Sequence, residues 1–297
     1  MNSRLIATRD GVNLFCVESN PSKSEETILF LHGYPDTHSS WEKQFEFFSK
    51  DYRILSYDIR GAGKSSAPIE ESGYKMEYLL SDVNRVLEAT LAENEKVHLV
   101  GHDWGSIILW SYLSKKENLD RVQSFMAVAC PHPMIFFKNI IGKMFTLQPE
   151  KVIEGFHQLI KSYYILLFQV PFVPEFLWRN FSYELWKLLM SRSGLPSSDP
   201  LMNLSREEIH QCTIHNVNLY RQILKKGPPA LPRIPLDLPI GLVIPEDDLA
   251  ITPEVYDETE SIARNLKTFR IQANHWVHRE RPDWFNQTLK GFLKSVR

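Results

Sequence analysis

Cysteine is scarce: the chain has three, Cys16, Cys130 and Cys212, an odd number set far apart. That excludes a disulfide framework and the paired spacing of a zinc knuckle, and it fits a reducing, cytoplasmic setting. Neither charge is in surplus, with 34 Lys and Arg against 36 Asp and Glu, which argues against a polybasic nucleic-acid or lipid binder. Long apolar runs are missing too. The greasiest stretch, Tyr163 to Trp178, is interrupted by Gln169, Pro171, Pro174 and Glu175, and the opening residues Met1 to Ala7 lack the apolar centre of a signal peptide, so neither a membrane span nor a leader is expected. Internal repeats and low-complexity tracts are absent. What is present is 297 residues, 43% of them hydrophobic, enough for one large α/β domain or for a core that carries an insertion.

Short β-branched or aliphatic runs recur between longer helical patterns: Thr27 to Leu31, Tyr52 to Tyr57, Lys96 to Val100, Ser124 to Ala129, Ile240 to Ile244 and Leu266 to Ile271. The alternation predicts a mostly parallel sheet with helices on both faces. Leu5 to Thr8 and Asn13 to Glu18 meet at Asp10-Gly11, a hairpin signal that places an antiparallel pair at one edge. Between Pro131 and Pro239 the strand rhythm stops. Aromatic-rich helical stretches take over, closed by Pro228, Pro229, Pro232, Pro235 and Pro239, a cluster that reads as an extended return strap. The expected organisation is a core in two parts, 1–131 and 237–297, around a helical cap insertion, 132–236.

The chemistry-bearing segment is Val97 to Trp110, an apolar strand running into Gly101-His102-Asp103-Trp104-Gly105 and then a helix. This is a nucleophile elbow with aspartate at its centre: the glycines permit a tight turn, and the helix N-terminus favours a carboxylate. Alone, such an aspartate could equally be a helix cap. Two further strand ends change that weighting. Ile240 to Ile244 ends in Pro245-Glu246-Asp247-Asp248, and Leu266 to Ile271 ends in Gln272-Ala273-Asn274-His275, giving the chain order nucleophile, acid, histidine of the α/β-hydrolase triad. Glu246 and Asp247 compete with Asp248 for the acid role. After the first central strand, His32-Gly33-Tyr34-Pro35 could aim the Tyr34 amide at the same point as the Trp104 amide, forming a two-donor oxyanion hole.

On these residues, with Asp58-Ile59-Arg60-Gly61-Ala62-Gly63-Lys64-Ser65, the chain resembles the α/β-hydrolase superfamily, specifically its aspartate-nucleophile branch and within it the soluble epoxide hydrolases, including hydrolase modules fused to short-chain dehydrogenases. No dehydrogenase glycine fingerprint occurs in these residues. The resemblance implies Asp248 as acid and a tyrosine in each of two insertion segments, Ser162 to Pro171 and Asn218 to Arg221, to stabilise the opening ring. Matching Phe168-Gln169 and Pro171 selects Tyr164, one register from Tyr163; the second segment supplies Tyr220. Asn274 departs from the glycine usual before the histidine.

A carboxylate nucleophile is already anionic at pH 7 and suits displacement at an sp³ carbon rather than acyl transfer. The expectation is ring opening of a small apolar or aromatic epoxide to a vicinal diol through an ester on Asp103, hydrolysed by water that His275 and Asp248 activate. Trp104, Phe168 and Tyr163 are expected against the substrate. No cofactor, metal, nucleic acid or membrane partner is expected, and the sequence is silent on oligomeric state. A dehalogenase using the same aspartate, or a catalytically silent ligand-binding protein of this fold, is the alternative. Gly61-Ala62-Gly63-Lys64-Ser65 lacks the earlier glycine of a phosphate loop, and His275 with His278 lacks a third nearby ligand in the sequence.

Overall fold

The computed structural model describes residues 1–19 and 26–296. Eight strands form one sheet in the order β1-β2-β4-β3-β5-β6-β7-β8: β1 (Asn2–Ala7), β2 (Asn13–Ser19), β3 (Thr27–Leu31), β4 (Arg53–Tyr57), β5 (Val97–His102), β6 (Val122–Val128), β7 (Ile240–Pro245) and β8 (Leu266–Ile271). The β1–β2 and β2–β4 pairs are antiparallel and every other pair is parallel. All the predicted strands form. The two differences of note are at the ends: β5 runs through Gly101 and His102, and β1 starts at Asn2. Pairing explains both, since Gly101 and His102 lie opposite Ala127 and Val128, and Asn2 opposite Glu18.

Period-two alternation sorts the sheet residues between two cores. Ile28, Phe30, Val100, Met126 and Val243 face α1 (Glu42–Phe48) and the C-terminal helix, while Leu29, Leu31, Leu99, Phe125 and Leu242 face α2 (Met76–Thr90) and α3 (Trp104–Leu113). Central strands buried on both sides read as continuous apolar runs, as here.

Between β6 and β7 the chain is helical: α4 (Pro133–Met144), α5 (Pro149–Lys161), α6 (Tyr163–Leu167), α7 (Val173–Asn180), α8 (Ser182–Met190), α9 (Arg206–Thr213) and α10 (Val217–Lys226). Gly227, at φ 76, ends α10, and the proline-rich residues 228–239 carry the chain back to the sheet without a helix. The core closes with α11 (Val277–Glu280) and α12 (Pro282–Lys294). Because β4 and β5 lie on opposite sides of β3, the sheet's winding reverses there, and the carboxyl ends of β3 and β5 open a crevice where ligands of such sheets bind.

Candidate active site

Asp103 stands in that crevice, directly after β5, at φ 50 and ψ −118, a conformation a non-glycine residue adopts only when its surroundings hold it. Close approach supplies the hold. A Cβ on Gly101 would lie 2.7 Å from the Gly105 carbonyl, and one on Gly105 would overlap the Leu31 carbonyl oxygen, so both glycines let α3 start against the strand ends. Gly33 is required in the same way, because a Cβ there would collide with the Asp103 carboxylate.

The two carboxylate oxygens of Asp103 differ. Oδ1 accepts the Tyr34 amide at 2.8 Å, and Oδ2 faces His275 Nε2 at 3.6 Å. The Trp104 amide, the other expected oxyanion donor, makes no hydrogen bond to the carboxylate among the described residues. Burial would raise the Asp103 pKa, but His275, then His102 and the Tyr34 amide outweigh it and hold the group below the usual carboxylate range.

His275 Nδ1 lies 2.7 Å from Asp248 Oδ2, while Asp248 Oδ1 accepts the amides of Ala250 (2.7 Å) and Ile251 (3.0 Å). The carboxylate is thereby fixed on both oxygens. Its rivals point elsewhere: Glu246 pairs with Gln272 and Arg270, and Asp247 is exposed. Burial lowers the His275 pKa, but the flanking Asp248 and Asp103 carboxylates outweigh it and carry it up to about 10. Asn274 joins the two loops, its Oδ1 accepting the amides of Leu249 (3.2 Å) and His275 (2.9 Å), so the residue that departs from the family pattern ties the Asp248 loop to the His275 loop.

Beneath His275 lies a polar platform that sequence reasoning missed. His102 Nε2–H donates to the His275 carbonyl at 3.0 Å, His278 Nε2 meets Ser40 Oγ at 2.8 Å, and the Trp276 indole donates to Asp36 at 3.2 Å. Asp36, His102 and His278 each bring a ligand-type atom within 4.8 Å of the others, all buried. The available signal was two more histidines flanking Asp103 and His275. His32, by contrast, is structural: Nε2 accepts the Ile59 amide at 3.0 Å and Nδ1–H donates to Gly33 O at 2.8 Å. The Asp58 carboxylate likewise collects the His38 and Lys64 amides at 2.8 and 2.9 Å, giving the Asp58 to Ser65 loop an internal role.

A small, mostly apolar cavity opens over Asp103. Trp104, Tyr164 and Tyr220 line it, with Phe136, Phe137 and Cys130 among the apolar walls. Tyr164 and Tyr220 stand edge to face at 5.7 Å, and Trp104 meets Tyr220 edge-on at 5.0 Å, its buried indole N–H interacting with the Tyr220 phenol but short of a full hydrogen bond. Burial, reinforced by the Asp103 charge, pushes both phenols above their ordinary pKa and keeps them protonated. Two expected substrate contacts fall elsewhere. Tyr163 is 67% exposed, because the side of α6 that faces the cavity is the one carrying Tyr164 and Ile165. Phe168 is buried behind the wall, packed edge-on against Tyr34, Tyr164 and Tyr220.

An elbow aspartate, an acid-held histidine and a parallel sheet between two helical layers define an α/β hydrolase by their arrangement. The chain belongs to the alpha/beta hydrolase fold family, whose model matches residues 26–282. It is 29% identical over 296 residues to "Probable oxidoreductase EphD" of Mycobacterium tuberculosis (strain ATCC 25618 / H37Rv), covering 98% of this chain and 49% of that protein, so it spans about half of that relative's length. Over 284 residues it is 27% identical to "Epoxide hydrolase 4" of Homo sapiens, covering 92% of this chain and 74% of that one. Among solved structures, Bacillus megaterium epoxide hydrolase in complex with an inhibitor superposes with a TM-score of 0.80 at 25% identity, covering 98% of this chain and all of that one.

Proposed function

We propose that the protein is an epoxide hydrolase that converts a small apolar or aromatic epoxide to a vicinal diol through an ester on Asp103. The observation that carries this reading is one cavity lined by a carboxylate nucleophile and two protonated phenols. The similarity to named epoxide hydrolases supports it. The helices of residues 132–236 act as the cap that brings Tyr164 and Tyr220 over the core's nucleophile.

In the first step Asp103 Oδ2 attacks a ring carbon, the ring C–O bond breaks, and the departing oxygen takes a proton from Tyr164 or Tyr220. Oδ1, already on the Tyr34 amide, becomes the ester carbonyl oxygen. Esterification removes the negative charge that raises the pKa of both phenols and of His275. His275 then gives up its proton, which restores the phenol that the departing oxygen had deprotonated, and becomes a base at neutral pH, held by Asp248. It deprotonates a water that attacks the ester carbon, and the tetrahedral oxyanion rests on the Tyr34 amide, joined by the Trp104 amide as the carbonyl reorganises. Collapse breaks the ester C–O bond, the departing alkoxide takes the proton of the hydroxyl added by water, and the diol leaves with the Asp103 carboxylate and the His275 imidazolium restored.

A dehalogenase reading has one observation in its favour, the Trp104 indole in the cavity beside Asp103, whose N–H suits a halide. Trapping decides between the readings. His275→Gln, incubated with an aromatic epoxide, is expected to accumulate a mass equal to protein plus epoxide, localised to Asp103. No adduct with any epoxide that the wild type turns over, or an adduct formed only with haloalkanes, overturns the proposal.

A further inference from the structure

The parallel pairing of β7 with β8 does not stop at the strand ends. The Glu246 amide donates to Ile271 O at 2.9 Å and the Asp247 amide to Ala273 O at 3.0 Å, so the acid loop and the histidine loop run on side by side as far as Asp248 and Asn274. There the ladder ends, and the amides just beyond it need other acceptors. Asp248 Oδ1 takes those of Ala250 and Ile251. Asn274 Oδ1 takes those of Leu249 and His275, and neither of these has a second acceptor among the described residues. Two donors meeting on one atom also fix which end of the side-chain amide is oxygen.

The bonds close a circuit. It runs from the Asp248 carboxylate through the His275 imidazole to the His275 amide, from there to Asn274 Oδ1, on to the Leu249 amide and back along the chain to Asp248. Acid and histidine are thus joined twice, once directly at 2.7 Å and once through Asn274. Asn274 is itself held. Its amide donates to Glu280 Oε2 at 2.6 Å, and the Glu280 side chain, 13% exposed, lies against Gly194 of the insertion, where a Cβ would come within 2.7 Å of the same oxygen. Glycine at position 274 would offer the two amides no side-chain acceptor.

We propose that Asn274 is a positioning residue for hydrolysis of the Asp103 ester, with Glu280 as its anchor. It touches neither the cavity nor the reacting atoms; it fixes the His275 ring against Asp248, and with it the direction from which Nε2 takes the proton of water. The inference rests on the two-step reading given above and concerns its second step alone. Alkylation needs the Asp103 carboxylate and the phenols, none of which bonds to Asn274. The attacking water must meet Nε2 and the ester carbon together, and a misplacement of about 1 Å in such a geometry costs about a hundredfold.

The experiment is single turnover of an aromatic epoxide by the full chain, following formation and decay of the ester by quenched-flow mass spectrometry. Decay is first order, so its rate does not depend on how much of a variant is folded. Asn274→Gly is expected to form the ester near the wild-type rate and to hydrolyse it about tenfold to a hundredfold more slowly. Glu280→Ala, which leaves the Asn274 side chain in place, should show a smaller loss of the same kind. Asn274→Asp keeps the accepting oxygen and should hydrolyse faster than Asn274→Gly. A second readout needs no substrate. The proton on His275 Nδ1, shared with Asp248, gives a far-downfield proton resonance, identified by its loss in His275→Gln; it should survive in Asn274→Asp and shift or broaden in Asn274→Gly. Ester decay at the wild-type rate in Asn274→Gly overturns the inference. So does an unchanged resonance, and so does an equal slowing of both steps, which assigns Asn274 to the fold alone. A wild type that opens no epoxide removes the epoxide reading instead, and the resonance still decides whether Asn274 positions His275.

Discussion

Asp103 and His275 set each other's protonation at 3.6 Å. With Asp103 anionic, the histidine's pKa stands at about 10 and it is imidazolium at neutral pH. Asp103→Asn reproduces the neutral ester in charge, leaving Asp248 as the remaining flanking carboxylate, so the His275 titration is expected to move down by about one pH unit or more. Histidine-selective NMR titration of both forms checks this, and an unchanged midpoint would show that the two groups are not coupled. A histidine raised on folding contributes fully below its unfolded value near 6.5 and loses that contribution as pH rises through about 10. The stability gap between wild type and His275→Gln is therefore expected to be widest near pH 6 and to narrow by pH 10, measured by denaturant unfolding.

Helix α6 and helix α10 each present one tyrosine to the cavity, and the proposed ring opening rests on both. Tyr164→Phe and Tyr220→Phe should each slow single-turnover alkylation of an aromatic epoxide, up to about a hundredfold for loss of an oxyanion donor, with less effect where the surviving phenol compensates. The double change should be far slower, while hydrolysis of the proposed ester, assigned to the backbone amides, should respond less. Unimpaired alkylation in the double variant would remove both phenols from the mechanism. The strands and the elbow were legible in the sequence because a parallel sheet needs buried runs and the turn needs Gly101 and Gly105. The insertion was legible only as helix. Which of Tyr163 and Tyr164 faces inward depends on the direction of α6, a five-residue helix too short to show a periodicity, so Tyr163 read as a substrate contact when it lies outside. The platform of Asp36, His102 and His278 was illegible for a different reason: its members come from three separate segments that meet only in the folded molecule.

At the scale of the molecule, the insertion is fastened to the core by polar contacts placed around the site. Lys161 Nζ donates to Asp248 O at 2.6 Å, Gln158 bonds the acid loop, Lys225 and Gln222 reach Glu71, and Asp199 meets Arg279 at 2.6 Å. The last contact is the more buried of the ion pairs, both side chains being within 2% of full enclosure, and it binds the loop after α8 to Arg279 of α11, three residues past Trp276. Removing one member of a buried pair leaves the other charge short of compensation, which costs about 3–5 kcal/mol. Arg279 keeps Glu42 at 2.8 Å and the carbonyls of Ser39 and Ser40 at 3.0 Å, so the low end applies. Asp199→Ala is therefore expected to destabilise by about 3 kcal/mol and to lower the melting temperature by roughly 6–12 °C. Asp199→Asn, which retains an acceptor, should lose less. Thermal unfolding of the three proteins at one pH and concentration makes the comparison. A drop of less than about 2 °C for Asp199→Ala would show that the insertion is held by its apolar contacts rather than by this pair.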